Sequence, residues 1–134
     1  MGLKKEDIMS NLTKQQKQEI LDKLGKVIIE DRDYNLDVVM NWATGIKKEY
    51  AKLANLSKEQ YELVSDLLSV SITCAIYELL EMFEEQSDWM KFMVKHEGQE
   101  YDLCEISEKM GSEIACYDED GWIQKFSKIG RFVL

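Results

Sequence analysis

Residues 57–85, SKEQYELVSDLLSVSITCAIYELLEMFEE, hold no Gly, Pro or Asn, and their middle third is almost wholly apolar. No other stretch constrains the chain as strongly. Ser57 followed by Gln60 is a capping-box start, with the serine placed to accept a backbone N–H and the glutamine to reach back. Tyr61, Val64, Leu68, Ser71, Ala75, Leu79 and Met82 then recur at steps of three and four. Val70, Ile72, Cys74 and Ile76 alternate with Ser69, Ser71, Thr73 and Ala75, which is strand spacing, yet no turn residue separates this piece from its helical flanks. Continuous helix is the expectation. Leu67, Leu68, Val70, Ile72, Cys74, Ala75, Ile76, Leu79 and Leu80 cover most of its circumference, and a helix apolar nearly all round is expected to be buried. At ~43 Å against a radius of gyration of ~14 Å for a compact chain of this size, it would cross the domain as a central post.

The 134 residues suffice to bury a core without metals or disulfides, and they read as one domain, 1–134, with 1–11 as a polar arm. No apolar run is expected to approach the ~20 residues that span a bilayer, and MGLKKED lacks the apolar core of a signal peptide. Glu6 stands where a myristoylation signal wants Ser or Thr. Cys74, Cys104 and Cys116 are odd in number and widely spaced, which fits a reducing cytoplasm better than a disulfide scaffold. The net charge of −9 is unevenly placed: residues 1–60 carry 11 Lys/Arg and 10 Asp/Glu (+1), residues 61–134 carry 6 and 16 (−10). Such a field disfavours nucleic acid and anionic membranes and attracts a basic protein.

Before the long helix, Thr13 and Gln16 form a second capping-box pair, and Ile20, Leu21, Leu24, Val27 and Ile28 predict an amphipathic helix ending near Asp31. Gly25 inside it costs stability unless another element approaches closely. Asp33 or Asn35 is a cap for a next helix with Leu36, Val39, Trp42, Ala43, Ile46, Tyr50 and Leu53 on its apolar face. After Glu85 the favoured reading is a short helix, SDWMKFMVKH, stopped at Gly98. The alternative is a small β-hairpin near 89–106 around Glu97-Gly98. Asp102 can cap a helix running through Ile106 and Met110 to Gly111, and an acidic loop precedes a last helix, GWIQKFSKI. The fold class expected is mainly α: a single helical bundle of about five helices around the buried 57–85 helix.

Candidate chemistry is sparse. Glu78, Glu81, Glu85 and Asp88 fall at three- and four-residue steps on one helical face, a spacing that can bind hard cations or build a di-iron centre. The single histidine, His96, has Met93 where a Glu-x-x-His pair needs its glutamate, so a solvated acidic face is the simpler reading. Asp118, Glu119, Asp120 and Gly121 match part of a calcium loop, but Cys116 and Ser127 stand at the end positions that need carboxylates. A capping loop before Trp122 fits better. Residues 103–115 read faintly as half of a helix-turn-helix, yet Glu113, Asp118, Glu119 and Asp120 would face phosphates. A Cys–His nucleophile pair drawn from Cys104, Cys116 and His96 lacks an oxyanion donor. No phosphate-binding glycine loop, zinc spacing or nucleophile elbow is present. Trp89 and Trp122 sit beside acidic residues, as core with a wet edge or as interface anchors.

The expected function is a non-enzymatic, acidic, cytoplasmic protein-binding module that neutralises a basic protein partner. Bacterial immunity and antitoxin proteins exemplify it, as an analogy of size, acidity and missing catalytic motif. Glu78, Glu81, Glu85, Asp88, Asp118, Glu119, Asp120 and Trp122 are the expected partner-binding residues. No cofactor, metal, nucleic acid or membrane is expected. The alternatives are a self-associating structural or regulatory bundle, a homo-oligomer supplied with interface residues by seven Met and three Trp, and a metal-dependent enzyme using the carboxylates of 78–88.

Overall fold

A computed structural model of the chain describes residues 12–42, 52, 55–114 and 121–129, with backbone alone at 41 and 42. The chain is mainly helical, with one small antiparallel sheet. In order come α1 (Lys14–Trp42), α2 (Lys58–Glu85), β1 (Met93–His96), β2 (Gln99–Asp102), α3 (Leu103–Ile106), a 3-10 turn (Met110–Glu113) and α4 (Trp122–Phe126). The expected polar arm 1–11, most of 43–53 and the acidic loop 118–120 lie outside the described residues.

Both capping boxes form. Thr13 Oγ1 accepts from the Gln16 N–H at 3.0 Å while Gln16 Oε1 accepts from the Thr13 N–H at 2.8 Å. Ser57 and Gln60 repeat the exchange at 3.1 and 3.0 Å. The expected break at 33–35 does not occur, and α1 runs on to Trp42 as one helix of 29 residues. The cap-type side chains there are spent otherwise. Asn35 Nδ2 donates back to the Asp31 carbonyl at 2.8 Å, and Asp33 accepts from Ser127 and from the Lys128 N–H at 2.8 Å. With the first two expected helices fused over these residues, four α-helices stand among the described residues.

The hairpin is found where a short helix was favoured. His96 pairs with Gln99, leaving Glu97 and Gly98 as a two-residue loop with φ of 51° and 79°. Positive φ at both loop residues is the type I′ geometry whose twist matches that of paired strands, and glycine takes the second place without strain. Asp102 then caps α3, accepting from the Cys104 N–H at 3.0 Å. That helix stops at Ile106, short of the expected Met110, and Ser107 Oγ accepts from the Met110 N–H at 2.8 Å to start the 3-10 turn.

The core gathers Ile20, Leu21 and Ile29 of α1, Leu80 of α2, Leu103, Ile106, Met110 and Ile114, and Trp122 and Ile123 of α4. It therefore lies toward the C-terminal half of α2, and this is the main correction to the central post. Within α2 only Ser65, Ser69, Thr73 and Leu80 are buried. Gly25 answers its own puzzle, because a Cβ there would stand 2.5 Å from the Trp122 ring.

Candidate interaction surface

The spacing Leu21, Gly25, Ile29, Arg32, Leu36, Met40 places Arg32 on the buried stripe of α1, and the residue is 1 % exposed. Its guanidinium donates through Nε to Thr73 Oγ1 at 3.0 Å, through Nη2 to Ser69 Oγ, and through Nη1 to Asp33 at 2.7 Å. Burial lowers the Arg32 pKa, and the adjacent Asp33 carboxylate opposes the shift. The inner face of α2 is thus a polar seam with its hydroxyls turned onto a buried cation. A buried charge of this kind holds only because it is paired and hydrogen-bonded.

The outer face of α2 is the converse. Leu63 and Leu67 stand 70 % and 68 % exposed, and Tyr61, Leu79 and Met82 are exposed beside them, as are Ser71, Cys74 and Ala75. The stripe Tyr61, Val64, Leu68, Ser71, Ala75, Leu79, Met82 points away from the polar seam, with Val64 and Leu68 half-buried. Among the described residues α2 is the one helix long and apolar enough to cross a membrane by length and composition, although most of that span is unburied. Tyr61, Leu63, Leu67, Leu79 and Met82 thus leave large apolar side chains in water along one helix.

The carboxylates expected to bind a partner divide. Glu78 and Glu85 are exposed on the last turns of α2, at the acidic end of the apolar stripe. Glu81 is half-buried, and its Oε1 accepts from the Gly111 N–H at 3.0 Å. A Cβ on Gly111 would meet that side chain at 2.7 Å and the Tyr77 carbonyl at 2.8 Å, so Glu81 clamps the 3-10 turn onto α2. Asp88 is exposed and lies in the turn beyond the helix. Asp118, Glu119 and Asp120 lie outside the described residues. Trp122 is 2 % exposed and packed over Gly25, in the core position that was one of its two readings. Trp89 is 74 % exposed, with its indole N–H donating to Gln86 at 2.7 Å.

Other groups carry less. Among the described residues no group of three or more His, Cys, Asp or Glu is gathered for a metal ion. Burial, and behind it the carboxylates of Asp102, Glu84 and Glu105, push the Cys104 thiol up, away from thiolate, and its Sγ lies 3.6 Å from the Phe83 carbonyl. A cleft of about 580 Å³ between the start of α1 and residues 106–113 mixes Lys14, Lys17 and Lys109 with Glu108 and Glu113. Burial raises the Glu113 carboxyl, against a hydrogen bond from Ser107 and the Lys109 charge. Charges of both signs around that cleft favour no single ligand class.

Sequence reasoning found the stripe on α2 but assigned it to the core, and it missed Arg32. The signal for Arg32 was present, as a charged residue in register with apolar ones. Compared with known proteins, the chain matches no family model, no curated protein and no solved structure.

Proposed function

We propose that the chain is a non-enzymatic, acidic helical-bundle module of the cytoplasm that binds protein through the outer face of α2. One observation carries the reading: leucines at helical spacing face solvent while Ser65, Ser69 and Thr73 of the same helix are buried. Glu78 and Glu85 at one end of the face favour a basic group on the partner. Contact with α1 through the Arg32 seam supports a protein partner over a bilayer, since α2 in lipid would carry a guanidinium with it. The test is affinity capture with wild-type protein and with a Leu63→Ser, Leu67→Ser bait of unchanged circular dichroism. Loss of the captured partner on the altered face is expected; equal capture by both baits ends the reading.

A second reading rests on the exposed carboxylates Glu78, Glu85 and Asp88 and the net charge of −9. In it the same end of α2 neutralises a foreign basic protein, in the manner of immunity and antitoxin proteins. Salt then slows encounter with that partner, and reversing Glu78 and Glu85 to Lys slows it further. Rates indifferent to both reduce the carboxylates to solubilising charge.

A further inference from the structure

We infer that Arg32 selects which face of α2 the protein buries, and so is the residue that keeps the apolar stripe turned outward. The device is independent of what docks on that stripe, since a face that binds nothing is turned outward by it all the same. Two faces of α2 compete for the inside. One is the stripe through Val64, Leu68, Ala75, Leu79 and Met82. The other runs through Ser65, Ser69, Thr73, Ile76, Leu80 and Phe83, roughly a third of a turn away. In the C-terminal half of the helix both faces carry apolar residues, and Ile76, Leu80 and Phe83 are the ones packed inward. In the N-terminal half hydropathy points the other way. Burying Val64 and Leu68 fully would take more apolar surface out of water than burying Ser65, Ser69 and Thr73, yet the hydroxyls are inside.

Arg32 supplies the reason. Among the described residues it is the one buried charge of α1, set between Ile29 and Leu36 on a stripe otherwise suited to any apolar partner. A guanidinium taken out of water needs acceptors. The hydroxyl face provides two, one turn apart: Nε donates to Thr73 and Nη2 to Ser69, so the fork fixes the rotation of α2. With the stripe turned inward the cation would lie against Leu68 and Ala75, with the Ser71 hydroxyl alone in place of two. A buried charge adds little net stability over an apolar side chain of its volume, and its better-attested use is to choose one arrangement among several. One other contact bears on the same helix. Glu81 clamps Gly111 onto its C-terminal half, and its contribution can be removed separately.

The test is Arg32→Met with a single thiol as reporter, Ala75→Cys in a chain whose three native cysteines are replaced by alanine. Ala75 is exposed, so with Arg32 in place the thiol should react with an aromatic disulfide nearly as fast as in the urea-unfolded chain. In Arg32→Met the stripe turns inward, and the rate should fall by about tenfold or more. Arg32→Lys keeps a cation that needs acceptors, and Glu81→Ala removes only the clamp on Gly111; both should leave the thiol fast. Melting gives a second readout. Leu79→Ser, at an exposed position, should lower the midpoint by less than about 2 °C with Arg32 present and by several times as much in Arg32→Met; equal shifts overturn the inference. A helical Arg32→Met chain whose thiol reacts as fast as before overturns it. So does an Arg32→Met chain without helical circular dichroism, because no second setting of α2 then exists for Arg32 to exclude. Equal slowing in Arg32→Lys or in Glu81→Ala takes the choice away from the buried cation and overturns it too.

Discussion

Along its inner face α2 buries Ser65, Ser69 and Thr73; along its outer face it leaves Leu63 and Leu67 in water. The usual amphipathic helix is arranged the other way. Each face is explained by what stands opposite. Ser69 and Thr73 accept from Arg32, a cation that needs acceptors once it leaves water. The outer leucines have no comparable cover among the described residues. Burial in this protein follows the neighbour rather than the hydropathy of the residue.

The comparison can be broken most directly at Arg32. Arg32→Ala should cost about 3–5 kcal/mol in urea unfolding, because Asp33, Ser69 and Thr73 lose their shared donor in a buried site. Arg32→Met, which keeps most of the volume, should lose distinctly less, and equal losses would mean that the lost donors account for the whole cost and packing for none. Gly25→Ala comes next. Its Cβ drives into Trp122, and overpacking of about 1–3 kcal/mol should outweigh the gain in helix propensity.

Smaller effects sharpen the contrast. The folded-state pKa of Glu113 is raised, so its ionisation works against folding once pH exceeds the ordinary glutamate range. Glu113→Gln should therefore stabilise the protein at neutral pH by less than about 1 kcal/mol, and the gain should vanish as melts are taken down below pH ~4. The smallest change belongs to the outer face. Leu67→Ser should leave monomer stability within about half a kcal/mol while weakening association, a split that the inner face can never show. A Leu67→Ser monomer that melts as badly as Arg32→Ala would erase the difference between the faces.

Local signals were legible where local physics decides. Both capping boxes, the length of α2 and the Asp102 cap follow from neighbours three residues apart or fewer. The hairpin was within view but ranked second, since the strand alternation is imperfect and the turn pair is Glu97-Gly98 instead of a stronger Asn-Gly. What could not be read locally is what distant partners decide. Asp33 looks like a helix cap, yet it stays inside α1 because Ser127 and Lys128 supply its donors. The seven-residue stripe on α2 was visible as a pattern, but spacing alone does not say whether an apolar face meets its own core or another molecule. Trp122 was readable as core or anchor, and the absent side chain of Gly25 decides it.

The Asp33 clasp also dictates an order of assembly. Arg32 meets Ser69 and Thr73, which lie 37 and 41 positions later, but Asp33 waits for Ser127 and Lys128, which lie 94 and 95 positions later. During synthesis α1 and α2 can pair around the guanidinium before Ser127 and Lys128 are made. The Asp33 carboxylate keeps its bond to Arg32 meanwhile but lacks its other donors until Ser127 and Lys128 arrive. A nascent chain halted before Ser127 is accordingly expected to pair the two helices with this latch undone, and the arrival of Ser127 and Lys128 is the step that closes it.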